Sequence, residues 1–338
     1  MKKQNGQAGH AKGEADPRAA RRRLESIDQF RGFAILLMVL ANYLAGVSWI
    51  PAWLKHAPDV GLTVIDLIAP FFIFAIGLTF ESSLRRRVSE DGWGKATWHV
   101  ASRYLGVLGV GALLSAGEIA VGENQSGIAW GVLQAIGVAG LVTLLVIRLP
   151  IWSRAAAGVI LLAAYQVLLD NGWLATVLAS PHGGLQGSLD WAALLILSTV
   201  LADLFYDRKR SSRGFVAGCV LALAAGLALA IWLPVSKNRV SATYILVSLG
   251  ASGLVFGGFV LLVDRLRRRL PLLTAWGRNP FLMYVLHLLL LGIVVLPGSP
   301  EWYAEAPDWL VALQALALLF LLSSVASWLD KRRLIISF

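Results

Sequence analysis

The strongest constraint in the sequence is a series of ten apolar stretches, each long enough to cross the roughly 30 Å hydrocarbon core of a bilayer as a helix. Hydrophobic residues make up 57% and charged residues only 15% of the 338 residues. A soluble domain of this length needs more polar surface. The stretches lie at about residues 32–50, 62–80, 102–119, 128–147, 154–170, 189–206, 214–234, 242–263, 280–297 and 309–329. The sequence therefore predicts an all-α integral membrane protein with about ten transmembrane helices.

The distribution of basic residues predicts the orientation of these helices. With ten spans, both chain ends and alternate loops share one side of the membrane. That side holds 27 of the 30 lysine and arginine residues, and only Lys55, Lys237 and Arg239 fall opposite. Basic residues concentrate in cytoplasmic loops, so both termini are expected in the cytoplasm. The net charge of +10 then belongs to the cytoplasmic membrane surface, and no nucleic-acid partner is expected.

The chain divides into a short tail and one long domain. Residues 1–23 are polar and rich in Gly, Ala, Lys and Arg, which predicts a disordered basic cytoplasmic tail. Residues 24–338 are expected to form a single transmembrane domain, because the loops are mostly too short for a separate soluble domain. The first apolar run is too long, and followed by too many others, for a cleaved signal peptide. The single cysteine, Cys219, lies in an apolar run, so neither a disulfide framework nor a metal site is predicted.

Polar side chains inside apolar spans cost a few kcal/mol and are candidate functional residues. Asp28 and Arg31 lie at the cytoplasmic mouth of the first span. Asp28 suits a helix cap, and Arg31 either reaches the headgroups or binds an anionic cytosolic ligand. Asn42 follows eleven residues later, about 16 Å deeper along a helix. Its amide either joins neighbouring helices or donates to a carbonyl oxygen that gains negative charge during acyl transfer.

The first outside loop carries His56, and Asp66 lies early in the second span. A histidine titrates near neutral pH and therefore suits a general base or a nucleophile, although a loop histidine is also a common exposed residue. A carboxylate in a span requires a partner. Asp66 meets that requirement either by orienting His56 or by pairing with Lys55.

A second group of polar residues comes later in the chain. Gln134 lies inside the fourth span, and Asn279 with Pro280 precedes the ninth. Asn279 suits a helix N-cap and Pro280 the first helical position. Tyr284 and His287 are three residues apart and share one helical face. His287 is either a packing residue that hydrogen-bonds a neighbour or part of a site.

Taken together, these segments resemble the catalytic region of the heparan-α-glucosaminide N-acetyltransferase family. The most specific part reads SIDQFRG at 26–32, MVLANY at 38–43, KHA at 55–57 and GLTVIDL at 61–67. The resemblance continues at 70–74, Gly77, 131–134, 277–279 and 284–287.

The resemblance implies a ten-helix acyltransferase domain that takes acetyl-CoA from the cytosol and acetylates a glucosamine amine on the other side. The family's catalytic histidine matches His56, and its partner asparagine matches Asn42. Asp66 is expected to orient His56. The residues expected to contact acetyl-CoA are Arg31, Arg103, Gln134, Arg278 and Asn279, and those expected to contact the acceptor are Trp53, Tyr284 and His287.

Two other functions stay open. Membrane O-acyltransferases place a histidine near the position of Asn42, so O-acetylation of a cell-envelope polysaccharide is the second reading. Ten spans with buried polar residues also suit a proton-coupled exporter, although no internal repeat is visible. The acceptor is expected to be an amino sugar or a glycan, and the location a bacterial inner (plasma) membrane. A homodimer is favoured only by analogy, and the order of chemistry, covalent acetyl-histidine or direct transfer, is left open.

Overall fold

The computed structural model describes residues 24–120, 130–207 and 211–336, and the tail predicted at residues 1–23 lies outside them. The described residues form an all-helical protein without a strand. The helices are α1 (Glu25–Ala45), α2 (Ile68–Asp91), α3 (Trp93–Ala120), α4 (Val132–Val146), α5 (Ile151–Leu168), α6 (Leu174–Leu178), α7 (Gly184–Tyr206), α8 (Ser211–Leu229), α9 (Ala242–Phe259), α10 (Pro271–Arg278), α11 (Pro280–Val295) and α12 (Asp308–Lys331).

Every predicted span overlaps one of these helices, and the predicted all-α membrane architecture is confirmed. Within the described part of the chain, seven helices are long and apolar enough to cross a membrane, or eight if the bent pair α10–α11 forms one span. Val132–Val146 and Arg213–Leu229 are shorter apolar helices. The 15 residues of α4 extend only about 22 Å. The count of ten and the cytoplasmic termini therefore stay predictions.

Helix α7 lies at the centre of the bundle. Of its most apolar window, 78% is buried, compared with 22% for α3 and 28% for α12. Trp191 and Ala193 of α7 are fully buried. The indole of Trp191 packs edge-on against Tyr244 of α9, with ring centroids 5.8 Å apart. Most of the apolar window of α3 and of α12 is at least partly exposed, which suits elements that face lipid.

Helices α1 and α10 cross with their backbones in close contact. A side chain at Gly32 of α1 would overlap the Leu273 carbonyl, and one at Gly277 of α10 would overlap the Asp28 carbonyl. Small residues at such crossings let membrane helices approach closely. This crossing fixes the N-terminal half of α1 against the C-terminal part of the chain.

The break between α10 and α11 bends the chain by 89°. Asn279 at the break has φ −126° and ψ 53°, because the ring of Pro280 disfavours the helical conformation in the residue before it. Pro280 then begins α11, as the sequence predicts, but the Asn279 side chain makes no cap hydrogen bond. Its amide group binds the C-terminal segment instead, donating to the Leu334 carbonyl at 3.0 Å and accepting from the Ile336 N–H at 2.8 Å.

A buried ion network connects α2, α5 and α7 at the end of the bundle that the charge pattern predicts to be cytoplasmic. Arg154 is only 2% exposed. Its guanidinium binds Glu81 at 3.1 Å, Thr199 at 3.0 Å and Asp203. Arg154 is therefore a packed, paired residue rather than a free surface cation.

Candidate functional site

A cavity of about 400 Å³ lies among α1, α3, α4 and α11. The loops that precede α2, α7 and α9 complete its wall with His56, His182 and Lys237. Its volume is within the range of small-molecule sites, about 300–1,000 Å³. The sequence-predicted residues that line the cavity are Asn42, His56, Gln134 and Tyr284.

His56 forms a hydrogen-bonded pair with Asp66. Nδ1 of His56 lies 2.7 Å from Oδ1 of Asp66. The second carboxylate oxygen accepts from the N–H of Thr63 at 2.9 Å and that of Ala57 at 3.3 Å. The Tyr244 hydroxyl donates to the backbone carbonyl of Asp66 at 2.7 Å. The Asp66 side chain is fully buried, whereas 43% of the His56 side chain is exposed.

This pairing selects the tautomer of His56. An ionised carboxylate only accepts hydrogen bonds, so Nδ1 carries the hydrogen and Nε2 retains its lone pair, the arrangement of a general base. The sequence left open whether Asp66 binds His56 or Lys55. The carboxylate binds His56, and the Lys55 ammonium instead donates to the Val47 carbonyl at 2.7 Å.

Asn42 is supported from behind by His287. Nδ2 of Asn42 lies 2.9 Å from Nε2 of His287. The amide is the donor, because an amide nitrogen does not accept, and its second hydrogen is left for another acceptor. His287 is 1% exposed and is not among the residues that line the cavity, whereas Asn42 is. A histidine 245 positions away therefore orients the asparagine that the sequence singled out.

Gln134 lies at the start of α4 and faces the same cavity. Its carbonyl oxygen accepts from the Gly131 N–H at 3.0 Å, and its amide donates to Ser115 of α3 at 2.9 Å. Gln134 therefore ties α4 to α3 while it lines the cavity. Tyr284 also lines the cavity, and its ring lies 5.1 Å from that of His287.

Three other sequence-predicted residues lie outside the cavity lining. Arg31 turns towards α2 and donates to the Ala75 carbonyl at 3.2 Å and to Thr79. Arg103 is exposed on α3. Trp53, in the connection between α1 and α2, is 64% exposed.

Arg278 and Asn279 also lie outside the cavity lining, at the bend between α10 and α11. Arg278 forms an ion pair with Asp330 of α12. Asn279 is fully buried and holds the C-terminal segment. The structure therefore does not bring these two residues together with the His56–Asp66 pair, and their contact with acetyl-CoA stays a prediction.

Sequence reasoning missed Lys237 as a site residue. Its segment is fastened to the His56 loop, since Gly61 N–H donates to the Val235 carbonyl at 2.8 Å and Arg239 pairs with Asp59. The Arg239 guanidinium holds the pKa of the Asp59 carboxyl below its usual value. The signal was present in the charge pattern, because Lys237 and Arg239 are exceptions to the cytoplasmic bias of basic residues.

Comparison with known proteins agrees with the resemblance seen in the sequence. The sequence model of a family described as heparan-alpha-glucosaminide N-acetyltransferase, catalytic, matches residues 23–235, more than half of the 338 residues. Heparan-alpha-glucosaminide N-acetyltransferase from Homo sapiens is 44% identical over 81 residues, which cover 22% of this chain and 12% of the human protein. The Mus musculus protein of that name is 36% identical over 134 residues, or 36% of this chain and 18% of the mouse protein.

The matched stretches thus cover less than a fifth of either curated relative. The family match includes Asn42, His56, Asp66 and Gln134, whereas Lys237 lies just beyond it. The predicted family is confirmed, and the chain belongs to the heparan-alpha-glucosaminide N-acetyltransferase catalytic family.

Proposed function

We propose that this multi-pass membrane protein is an acetyltransferase. It transfers the acetyl group of cytosolic acetyl-CoA to the amine of an amino sugar or glycan on the extracytoplasmic side. The observation that carries the proposal is the meeting of Asn42 with the His56–Asp66 pair at one cavity in a chain of this family.

The cavity suits the thioester end of acetyl-CoA. Its walls include the apolar side chains of Met38, Ile68 and Leu288, and its polar groups include Asn42 and His56. Such a lining accepts a slender acyl chain while a few polar groups fix its orientation. No metal is required by this chemistry.

Helix α1 supports access from the cytosol. It is continuous from Glu25 to Ala45, so Arg31 and Asn42 are about 16 Å apart along its axis. The extended pantetheine arm is long enough to cover that distance. The nucleotide and its phosphates then stay near Arg31, Arg103 and Arg278 on the cytoplasmic side, and only the acetyl group crosses.

The proposed chemistry uses the tautomer that Asp66 imposes on His56. Nε2 of His56 removes a proton from the acceptor amine as the amine nitrogen attacks the thioester carbonyl. The free amide hydrogen of Asn42 stabilises the oxyanion, and Asp66 stabilises the imidazolium. The C–S bond then breaks as the C–N bond is completed, and His56 returns its proton to the sulfur. CoA leaves as a free thiol.

The decisive experiment measures release of free thiol from acetyl-CoA by the purified protein, with glucosamine as the acceptor. Wild type is compared with His56→Ala and with His99→Ala. His99 lies near the N-terminal end of α3, whereas the residues of α3 that line the cavity lie further along the helix. We expect acceptor-dependent thiol release in wild type and His99→Ala and its loss in His56→Ala. Equal rates in wild type and His56→Ala would remove the central claim.

Other outcomes of the same assay select among the alternatives. Acetyl-CoA binding without thiol release points to a different acceptor, including a hydroxyl of an envelope polysaccharide. Absence of both binding and release favours an exporter. A burst of thiol equal to the amount of protein, before acceptor is added, identifies transfer through an acetyl-His56 intermediate.

A further inference from the structure

Lys237 lies against the imidazole of His56. Its Nζ is 3.2 Å from Nδ1 of His56, the same nitrogen that lies 2.7 Å from Asp66. Lys237 is only 8% exposed and lines the cavity with His56. A buried ammonium is costly unless it is compensated, so its position beside the site calls for an explanation other than stability.

The backbone around Lys237 holds this position. Arg239 pairs with Asp59 in the His56 loop. Ser236 donates to Asp59 at 3.0 Å, and the Val240 N–H donates to the Lys237 carbonyl at 3.0 Å. These contacts join two loops that are about 180 residues apart in sequence, and they place the lysine side chain within reach of His56.

The geometry of Nδ1 limits what Lys237 does there. One ring nitrogen cannot donate to a carboxylate and accept from an ammonium at the same time. With Nδ1–H donated to Asp66, the ammonium is a second charge beside the ring rather than a hydrogen-bond donor to it. Burial lowers the pKa of Lys237 to about 8, so most of the population is still charged at pH 7.

We propose that Lys237 is a positioning residue of the transferase site. Its ammonium offsets the negative charge of Asp66 beside the ring, so that the His56 imidazole stays neutral and the Nε2 lone pair stays free. The Asp66 carboxylate favours the imidazolium, which cannot accept a proton from the acceptor, whereas the Lys237 ammonium disfavours it. With Lys237 beside it, the imidazolium formed during turnover is repelled and readily returns its proton. The proposal rests on the proposed function, because the neutral ring matters only if His56 acts as a base.

The other polar groups near His56 do not replace this charge. His182 and Asn42 line the same cavity, and neither side chain is a permanent cation. The Tyr244 hydroxyl is engaged with the Asp66 backbone carbonyl. The Lys55 ammonium, one residue from His56 in sequence, is directed to the Val47 carbonyl. Among the residues that the structure describes, Lys237 is the cation in hydrogen-bond range of the ring.

The first test measures the charge of His56 without requiring turnover. Diethyl pyrocarbonate modifies neutral imidazole, and peptide mass spectrometry reports the rate at His56 as a function of pH. We expect the midpoint to rise by about one pH unit or more in Lys237→Met, because a nearby positive charge has been removed. Lys237→Arg should keep the wild-type midpoint. Lys55→Met is the matched control and should also keep it.

Lys237→Gln provides a second neutral variant with a polar side chain, should Lys237→Met unfold. Thermal unfolding in detergent identifies folded samples. An unchanged midpoint in the folded neutral variants overturns the proposal. So does an equal shift in Lys55→Met, because it would reflect a general change in the loop.

The pH profile of kcat/KM for thiol release is the second readout. We expect its acidic limb to move to higher pH in Lys237→Met, parallel to the modification midpoint, and to be restored in Lys237→Arg. A wild type without thiol release contradicts the proposed function but leaves the modification result to judge Lys237. An active wild type with an unshifted Lys237→Met profile contradicts the role of Lys237 alone.

Discussion

Replacing Asp66 with asparagine separates the role of its charge from the role of its shape. The Asp66 carboxylate accepts from His56 at 2.7 Å and from the Thr63 and Ala57 N–H groups at 2.9 and 3.3 Å. If the new NH₂ faces those N–H groups, two donors oppose it, and each lost bond to a charged group costs about 1.5–3 kcal/mol. If it faces His56, it donates to Nδ1 and forces the ring hydrogen onto Nε2.

The second orientation avoids the donor clash, so we expect Asp66→Asn to fold with the wrong His56 tautomer. The equivalent change in a Ser–His–Asp triad lowers kcat by about 10⁴. Because Lys237 also influences this ring, we expect a loss of about 10³–10⁴ in kcat, equivalent to about 4–5.5 kcal/mol of transition-state stabilisation.

The assay is steady-state thiol release at saturating acetyl-CoA and acceptor. Thr63→Ala is the matched control, since it removes a hydroxyl that donates to Asp66 at 3.0 Å but keeps the carboxylate. We expect Thr63→Ala to lose less than about tenfold in kcat. A folded Asp66→Asn protein within about tenfold of wild type would refute the tautomer argument.

Asn42→Ala should lower kcat by about 10²–10³ with little change in KM, because an oxyanion donor acts in the transition state. Steady-state kinetics measures both constants, and a change in KM alone would contradict this role of Asn42. Gly277→Ala should destabilise the fold by about 1–3 kcal/mol, because its methyl group would overlap the α1 backbone. Gly94→Ala is the control and should leave stability unchanged, because no atom lies within 4 Å of the new methyl group. Thermal unfolding of both variants checks this difference. Asp59→Asn should cost less than about 1 kcal/mol, because its ion pair with Arg239 is partly exposed. Since the pKa of Asp59 is lowered in the folded protein, the stability difference between wild type and Asp59→Asn should be complete at pH 7 and shrink as pH falls below about 4. A stability difference that persists in acid would show that it comes from the shape of the side chain and not from its charge.

The local parts of the structure were predictable from the sequence. Apolar stretches long enough to span a bilayer form helices because the backbone must satisfy its own hydrogen bonds there. The pairing of His56 with Asp66 was one of two sequence alternatives, and it is a contact across only ten positions. Pro280 likewise marks the start of α11 because its ring acts on its immediate neighbours.

The sequence also indicated α4, but not its limited length. The apolar residues predict a span at 128–147, whereas the helix begins at Val132. At this start the Gln134 side chain accepts from the N–H of Gly131. The bend at Asn279 was equally hidden, because the amide that was expected to cap α11 binds the C-terminal segment.

The sequence by itself determined the helical membrane architecture, the charge bias of the loops and the family whose motifs match His56 and Asn42. Only the tertiary structure decided that His287 supports Asn42 across 245 positions and that Lys237 meets His56 across 181. Hydropathy and helical periodicity report how each residue relates to its neighbours and to lipid. They carry no information on which helix ends meet, because those contacts depend on how the whole bundle and its loops pack together.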